Sequence, residues 1–166
     1  MRVTGSRGWS DSLPAVQTIL VASDAPTIRR EVAAVVSGPD IEVAAVTTGP
    51  EVVSYVNEES PDLVIVDMQM GNMGGMAVCL ELRLQESYDA IDHIPVLMLL
   101  DRRPDVFLAR RSGAEGWLVK PLDPLRLRRA VAKLLDDGTF HDDSFTPVPV
   151  LVGAEPQLQA GTEPST

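Results

Sequence analysis

The feature that most constrains this chain is a fivefold alternation. Five short apolar runs, Thr18–Ala22, Ile41–Val46, Leu63–Val66, Pro95–Leu100 and Gly116–Val119, are separated by segments whose apolar residues recur at helical spacing. Most of the runs are continuously apolar rather than alternating. That is the pattern of strands buried on both faces of a parallel sheet. The spacing between them predicts helices over Pro26–Val36, Gly49–Asn57, Gly75–Leu84, Arg103–Arg111 and Asp123–Leu135. Strict alternation of strand and helix predicts an α/β fold: a five-stranded parallel sheet, right-handed crossovers and helices on both faces.

Two helix starts carry an acceptor side chain just before proline, Asp24-Ala25-Pro26 and Asp123-Pro124, which suits N-capping. The alternation ends near Asp137. Three regions are therefore expected: a flexible segment over 1–17, one folded domain over 18–137, and an acidic, proline-containing disordered tail over 138–166. The tail holds one apolar patch, Val148–Val152, suited to docking on the domain or on a partner.

Composition narrows the function classes. Apolar residues make up 45% of the 166, enough for a sizeable core. The net charge of −10 repels phosphate backbones, so no direct nucleic-acid partner is expected. Cys79 is the only cysteine and falls in a helical, Leu- and Met-rich stretch, so it reads as a small core residue rather than half of a disulfide. No apolar run approaches the roughly 18 residues of a membrane span, and the N-terminus lacks the apolar core of a signal peptide. A cytoplasmic protein with no membrane partner is expected.

In open parallel sheets, ligands bind beyond the carboxyl ends of the strands. Ser23-Asp24 follows the first run, Asp67 the third, Asp101 the fourth and Lys120-Pro121 the fifth. The fold gathers these ends on one edge. Clustered carboxylates repel, and a divalent cation relieves the repulsion. Oxygen-only ligands suit Mg²⁺, which needs one or two carboxylates and keeps several waters. An aspartate can act as a nucleophile toward phosphorus. Phosphoryl transfer then needs positioning and neutralisation of the equatorial oxygens, and Lys120 is the only basic residue at a strand end. Taken singly, Asp24 reads as an N-cap, Asp67 as a loop cap and Lys120 as an exposed lysine. Taken together at matching strand ends, they read as a site.

These residues resemble the receiver domain of two-component response regulators, in particular the single-domain chemotaxis type. The likeness is carried by Ile19–Asp24, Pro61–Met70, Gly74-Gly75-Met76, Ile94–Met98 and Gly113–Pro121. It implies the flavodoxin-like, doubly wound (βα)5 fold, with Asp67 as phosphoacceptor. It also implies Mg²⁺ held by Asp24, Asp67 and the backbone carbonyl of Gln69, with Lys120 pairing with the phosphoryl group. The Lys120–Pro121 bond is expected to be cis, and Gly75 to let the loop after Asp67 turn. A sensor histidine kinase or phosphotransfer protein is implied as donor and a downstream protein as partner. Weak self-pairing through the fourth and fifth helices is allowed.

The chain departs from the family pattern in ways that bear on function. Ser23 stands where the family has a second acid, so it is auxiliary to a metal site with one charge fewer. Leu100 replaces a switch hydroxyl, and Trp117 replaces the switch Tyr or Phe of the fifth strand. Gly71 stands where proline is common. The expected function is a stand-alone, phosphate-accepting receiver in a phosphorelay, a signalling protein and not an enzyme. The alternative is an atypical receiver serving as a phosphate-independent interaction module. An aspartyl phosphatase of similar architecture would carry an acid at the position of Gln69. A flavodoxin-like cofactor binder would carry a glycine-rich loop in place of Ser23–Pro26.

Overall fold

The computed structural model describes residues 15–143. Strands β1 (Gln17–Ala22), β2 (Ile41–Val46), β3 (Leu63–Asp67), β4 (Val96–Leu100), β5 (Gly116–Val119) and β6 (Phe140–His141) form one sheet, in the order β2-β1-β3-β4-β5-β6. Every pairing is parallel. Helices α1 (Pro26–Val36), α2 (Gly49–Glu59), α3 (Gly75–Ser87), α4 (Val106–Ser112) and α5 (Pro124–Leu135) connect the strands.

Alternation along the strands sorts the core into two layers. Leu20, Val64, Val66, Met98 and Leu100 face Val52 and Val56 of α2, Val78 and Leu82 of α3, and Ala109 of α4. Ile19, Val21, Ile65, Leu97 and Leu99 face Val32 and Val36 of α1 and Leu127, Ala130 and Leu134 of α5. Central strands β3 and β4 are buried at every position, which is why they read as unbroken apolar runs. β2 is an edge strand and exposes Glu42. Cys79 is buried, and its thiol donates to the Ser112 carbonyl at 3.3 Å. Burial pushes the thiol pKa up, as befits a core residue.

Three expectations need correction. The sheet has six strands, because Phe140 and His141 add to the edge left open by β5. The domain therefore continues past 137. Asp137 adopts a left-handed conformation (φ 54°), the Gly138 N–H donates to the Lys133 carbonyl at 2.8 Å, and the chain turns back along β5. A two-residue strand is too short to leave a periodic signal. The fourth helix opens with a 3₁₀ turn over Arg103–Asp105 around Pro104, so its α-helical part starts only at Val106. Asp24 does not cap α1. Ala25 is the capping residue, without a side-chain bond, and Asp24 is used elsewhere. Asp123 does cap α5, accepting from the Arg126 N–H at 2.8 Å. The expectations for 1–14 and 144–166, the Val148–Val152 patch included, lie outside the described residues.

Candidate functional site

Parallel register carries the strand ends to one edge. Ala22 pairs with both Val46 and Val66, Asp67 with Leu99, and Leu100 with Val119. The residues just beyond these positions are therefore neighbours by construction.

Asp67 closes β3 and is 2% exposed. Its Oδ1 accepts from the Lys120 ammonium at 2.8 Å and from the Gln69 N–H at 3.2 Å. Its Oδ2 accepts from the Ser23 hydroxyl at 2.8 Å. Ser23 is fully buried, and its oxygen in turn accepts from the Ala25 N–H at 3.2 Å. The carboxylate is thus held by a cation, an amide and a hydroxyl.

Lys120 is aimed by its backbone: its N–H donates to the Leu100 carbonyl at 2.8 Å, and the Lys120–Pro121 bond is cis, as the resemblance implied. The ammonium reaches Asp101 as well, at 3.1 Å. Burial works against its charge, but the hydrogen bond and charge of Asp67, and then those of Asp101, outweigh burial. They hold the Lys120 pKa above the ordinary lysine value.

Asp24 is exposed, and its Oδ2 accepts from the Gly71 N–H at 3.1 Å. A proline at position 71 would have no N–H to give. The glycine thus ties the loop after β3 to the acid after β1. Gly75 is required for a reason other than a turn. A Cβ there would sit 2.6 Å from the Asp67 carbonyl oxygen, so only glycine lets α3 start against the Asp67 backbone.

The donors fit a loosely held Mg²⁺. The carboxylates of Asp24 and Asp67 are oxygen ligands at one edge, and no histidine or cysteine joins them. Among the described residues no group of three or more His, Cys, Asp or Glu forms a metal cage. That suits a cation that keeps most of its water and does not suit zinc.

The two switch candidates lie elsewhere. The Leu100 side chain is fully buried in the core layer shared with Ala109, Trp117 and Val119. Trp117 is 2% exposed and stacks on His141 with ring centroids 4.0 Å apart and an 8° interplanar angle. The Arg110 guanidinium also lies over the Trp117 ring, at 5.3 Å. Sequence reasoning missed His141 and Asp142 altogether. It placed them in the tail, and nothing local marks them as partners of β5.

Parallel (βα) topology, a buried aspartate at the end of the third strand, a lysine before a cis proline on the fifth and an acid after the first define a receiver. The profile of the response regulator receiver domain matches residues 19–132, and the chain belongs to that family. The DNA-binding response regulator MtrA of Mycolicibacterium smegmatis is 32% identical over 113 residues, spanning 67% of this chain and 47% of that protein. The chain therefore aligns with about half the length of such relatives. The chemotaxis response regulator CheY4 of Vibrio cholerae superposes with a TM-score of 0.64 at 26% identity, covering 72% of this chain and 99% of that one. The receiver domain of the sensor histidine kinase PA1611 of Pseudomonas aeruginosa superposes with a TM-score of 0.65, covering 74% and 99%. That protein holds a magnesium ion in its active-site cleft; at 22% identity the likeness speaks for the fold alone. No helix among the described residues is long and apolar enough to cross a membrane.

Proposed function

We propose that this receiver accepts a phosphoryl group on Asp67 from a phosphohistidine of a sensor kinase or phosphotransfer protein. The observation that carries the reading is the 2.8 Å contact between the Lys120 ammonium and a nearly inaccessible Asp67 carboxylate. An Asp67 oxygen attacks phosphorus, the P–N bond breaks, and the leaving imidazole nitrogen takes up a proton. Lys120 would follow the charge from the carboxylate to the equatorial oxygens, and Asp101, 3.1 Å away, would remain beside its ammonium and favour its charged form. Asp24, Asp67 and the backbone carbonyl of Gln69 are the groups that would hold Mg²⁺. When bound, it neutralises charge on the transferring phosphoryl group.

Ser23 tunes this chemistry twice. It supplies no charge to the metal, and it donates to Asp67, so its hydroxyl must turn away or re-pair when Oδ2 is engaged. Output then runs through protein contacts of the domain, with phosphorylation biasing a two-state equilibrium. In this role the chain is a phosphorylated signalling component working in the cytoplasm, and not an enzyme turning over a substrate.

One observation favours a second reading, a phosphate-independent interaction module. Leu100 puts a buried methyl-bearing side chain where a hydroxyl would be needed to follow the phosphoryl group. Incubation with acetyl phosphate and Mg²⁺ separates the two. The first reading predicts an acid-stable, base-labile phosphoryl adduct. Folded protein that never labels, with either a small donor or a histidine kinase, contradicts it.

A further inference from the structure

The core layer between the sheet and helices α1 and α5 is open at its amino end. There the ends of α1 and α5 and the starts of β1 and β2 meet around a groove of about 470 Å³. Val35, Ile41 and Leu135 line it and are only half-buried, with buried Val131 beside them. Gly38 stands at the wall, and a Cβ there would meet no atom within 4 Å. The cation in the lining is Arg128, whose Nε donates to the Val35 carbonyl at 3.2 Å and so fixes the guanidinium at the end of α1. Asp136 lines the groove as well, and Asp40 and Asp137 are exposed close by. Apolar walls with a fixed guanidinium suit an aromatic ring, which gains from burial and offers its face to the cation. The acidic surroundings suit a basic residue next to that ring.

The chain carries such an occupant outside the described residues. Residues 144–166 are the wrong stretch: they hold no lysine or arginine, and they depart beside Val119, at the opposite end of the sheet. Residues 1–14 arrive at the groove itself. Gln17 lines it, the Gln17 N–H donates to the Asp40 carbonyl at 2.9 Å, and Val16 just before is 56% exposed. This stretch places Trp9 close to Arg7, with Arg2 further out and Asp11 as its one acid, on a chain whose net charge is −10. Eight residues separate Trp9 from Gln17. At about 3.3 Å per residue they reach up to roughly 26 Å, more than enough to cross the groove.

We propose that the groove between α1 and α5 is the seat of the chain's own N-terminal segment, with the Trp9 indole against Val35, Ile41 and Leu135. Arg128 lies against the ring, and Arg7 meets the acidic rim of Asp40, Asp136 and Asp137. The contact is intramolecular, and a short tether supplies an effective concentration of about millimolar, so a pairing too weak to hold a free peptide holds here. The segment closes the open end of the core layer and covers apolar surface that would otherwise face water. The groove lies at the amino end of the sheet, away from Asp67, so the seat works whether or not Asp67 is phosphorylated.

The test uses the full wild-type chain. Nuclear Overhauser contacts are expected between the Trp9 ring protons and the methyl groups of Val35, Ile41 and Leu135, at the same relative intensity when the protein is diluted. In a Trp117→Phe background Trp9 is the only remaining tryptophan. Its emission is expected to lie to the blue of that of a free peptide of residues 1–17, and acrylamide should quench it less steeply. Filling the groove with Gly38→Leu and Ala132→Phe together should return both readings to those of the peptide, and Arg7→Glu should move them part of the way. Trp9 emission and quenching equal to those of the peptide overturn the proposal. So do ring contacts confined to residues outside the groove, groove contacts made by Val148–Val152 instead, or contacts that appear only as protein concentration rises, which would mark a second copy as the occupant. The ring contacts are read in the wild-type chain, so they decide the matter even if the filled-groove variant does not fold.

Discussion

At each end of the β4–β5 pair a group of acids gathers around a cation, Lys120 at one end and Arg83 at the other. At the carboxyl end, Lys120 bridges Asp67 and Asp101, with Asp24 nearby on the same edge. At the amino end, Arg83 of α3 is clasped by Glu86 and Glu115. The materials are alike and the outcomes differ. Arg83 Nη2 donates to both Glu115 oxygens, at 2.9 and 2.7 Å, while its other nitrogens reach the carbonyls of Gly113 and Ile94 at 3.0 and 3.2 Å. Glu115 also accepts from the Val96 N–H at 2.7 Å, Glu86 accepts from the Ile94 N–H at 3.2 Å, and His93 sits against Glu86 at 3.1 Å. That network pins α3, the loop after α4 and the start of β4 to one another. A planar fork with fixed geometry suits such a clamp. Lysine is a point charge on a flexible stem, and it can follow a negative charge that moves. Both ends hold more carboxylate than cation, but at the amino end Arg83 forks onto both Glu115 oxygens and two backbone carbonyls, whereas at the carboxyl end a single lysine nitrogen bridges Asp67 and Asp101. The first arrangement is suited to exchange and the second to permanence.

The largest expected effect separates the two groups by function. Asp67→Asn should abolish phosphoryl labelling while leaving the unfolding transition in place. Glu115→Gln should leave labelling within about twofold, because it is remote from the reacting atoms. Labelling retained by Asp67→Asn would break the comparison at once. Next is stability. Arg83→Met strands two carboxylates that are only 15–18% exposed and should cost about 2 kcal/mol, below the value for a fully buried pair because water still reaches the site. Urea denaturation measures it. A cost near zero would demote the clamp to a surface ornament.

A third expectation concerns the auxiliary residue. Ser23→Asp restores a charge beside Asp24 and Asp67 and removes the hydroxyl that donates to Oδ2. Mg²⁺ should bind about tenfold more tightly by calorimetry, the equivalent of ~1.4 kcal/mol. Ser23→Ala should leave affinity near the wild-type value while freeing Oδ2. Equal affinities in all three proteins would remove Ser23 from the site's electrostatics.

The smallest effect is in pH dependence. The folded state holds the Lys120 pKa above its ordinary value of about 10.5. The stabilisation is therefore full below that value and fades as pH rises through the higher folded value. Lys120→Met should lack this alkaline loss. Denaturation midpoints from pH 9 to 11.5 for the two proteins read the difference, and parallel curves would mean that the ammonium contributes nothing through its titration.

Much of the fold was legible because its information is periodic. Unbroken apolar runs at β3 and β4 reflect burial on both faces, and the arginine and valine spacing in α1 reflects one covered face. The candidate site was legible because topology converts sequence position into neighbourhood: Ser23, Asp24, Asp67, Asp101 and Lys120 each follow a strand. What escaped notice depends on contacts without a period. Asp24 looked like a helix cap, and only the Gly71 N–H shows where its oxygen goes. Arg83 is one of several arginines in the sequence, and nothing local announces that Glu86 and Glu115 converge on it. β6 is two residues long in a stretch rich in acids, so its composition resembled a tail. Trp117 read as the aromatic of the switch position, and only the structure shows that His141 stacks on it. In each case the deciding partner lies far along the chain or in a segment too short to carry a pattern.

The central claim is that Asp67, held by Lys120 and Ser23, is the atom group that receives phosphorus. Borohydride reduction of the labelled protein followed by peptide mass mapping tests it most directly, since an aspartyl phosphate is converted to homoserine at the labelled position. The account predicts homoserine at position 67 alone, dependent on Mg²⁺ and on Lys120. Conversion at Asp24 or Asp101, or phosphate retained on a serine such as Ser23, would contradict it.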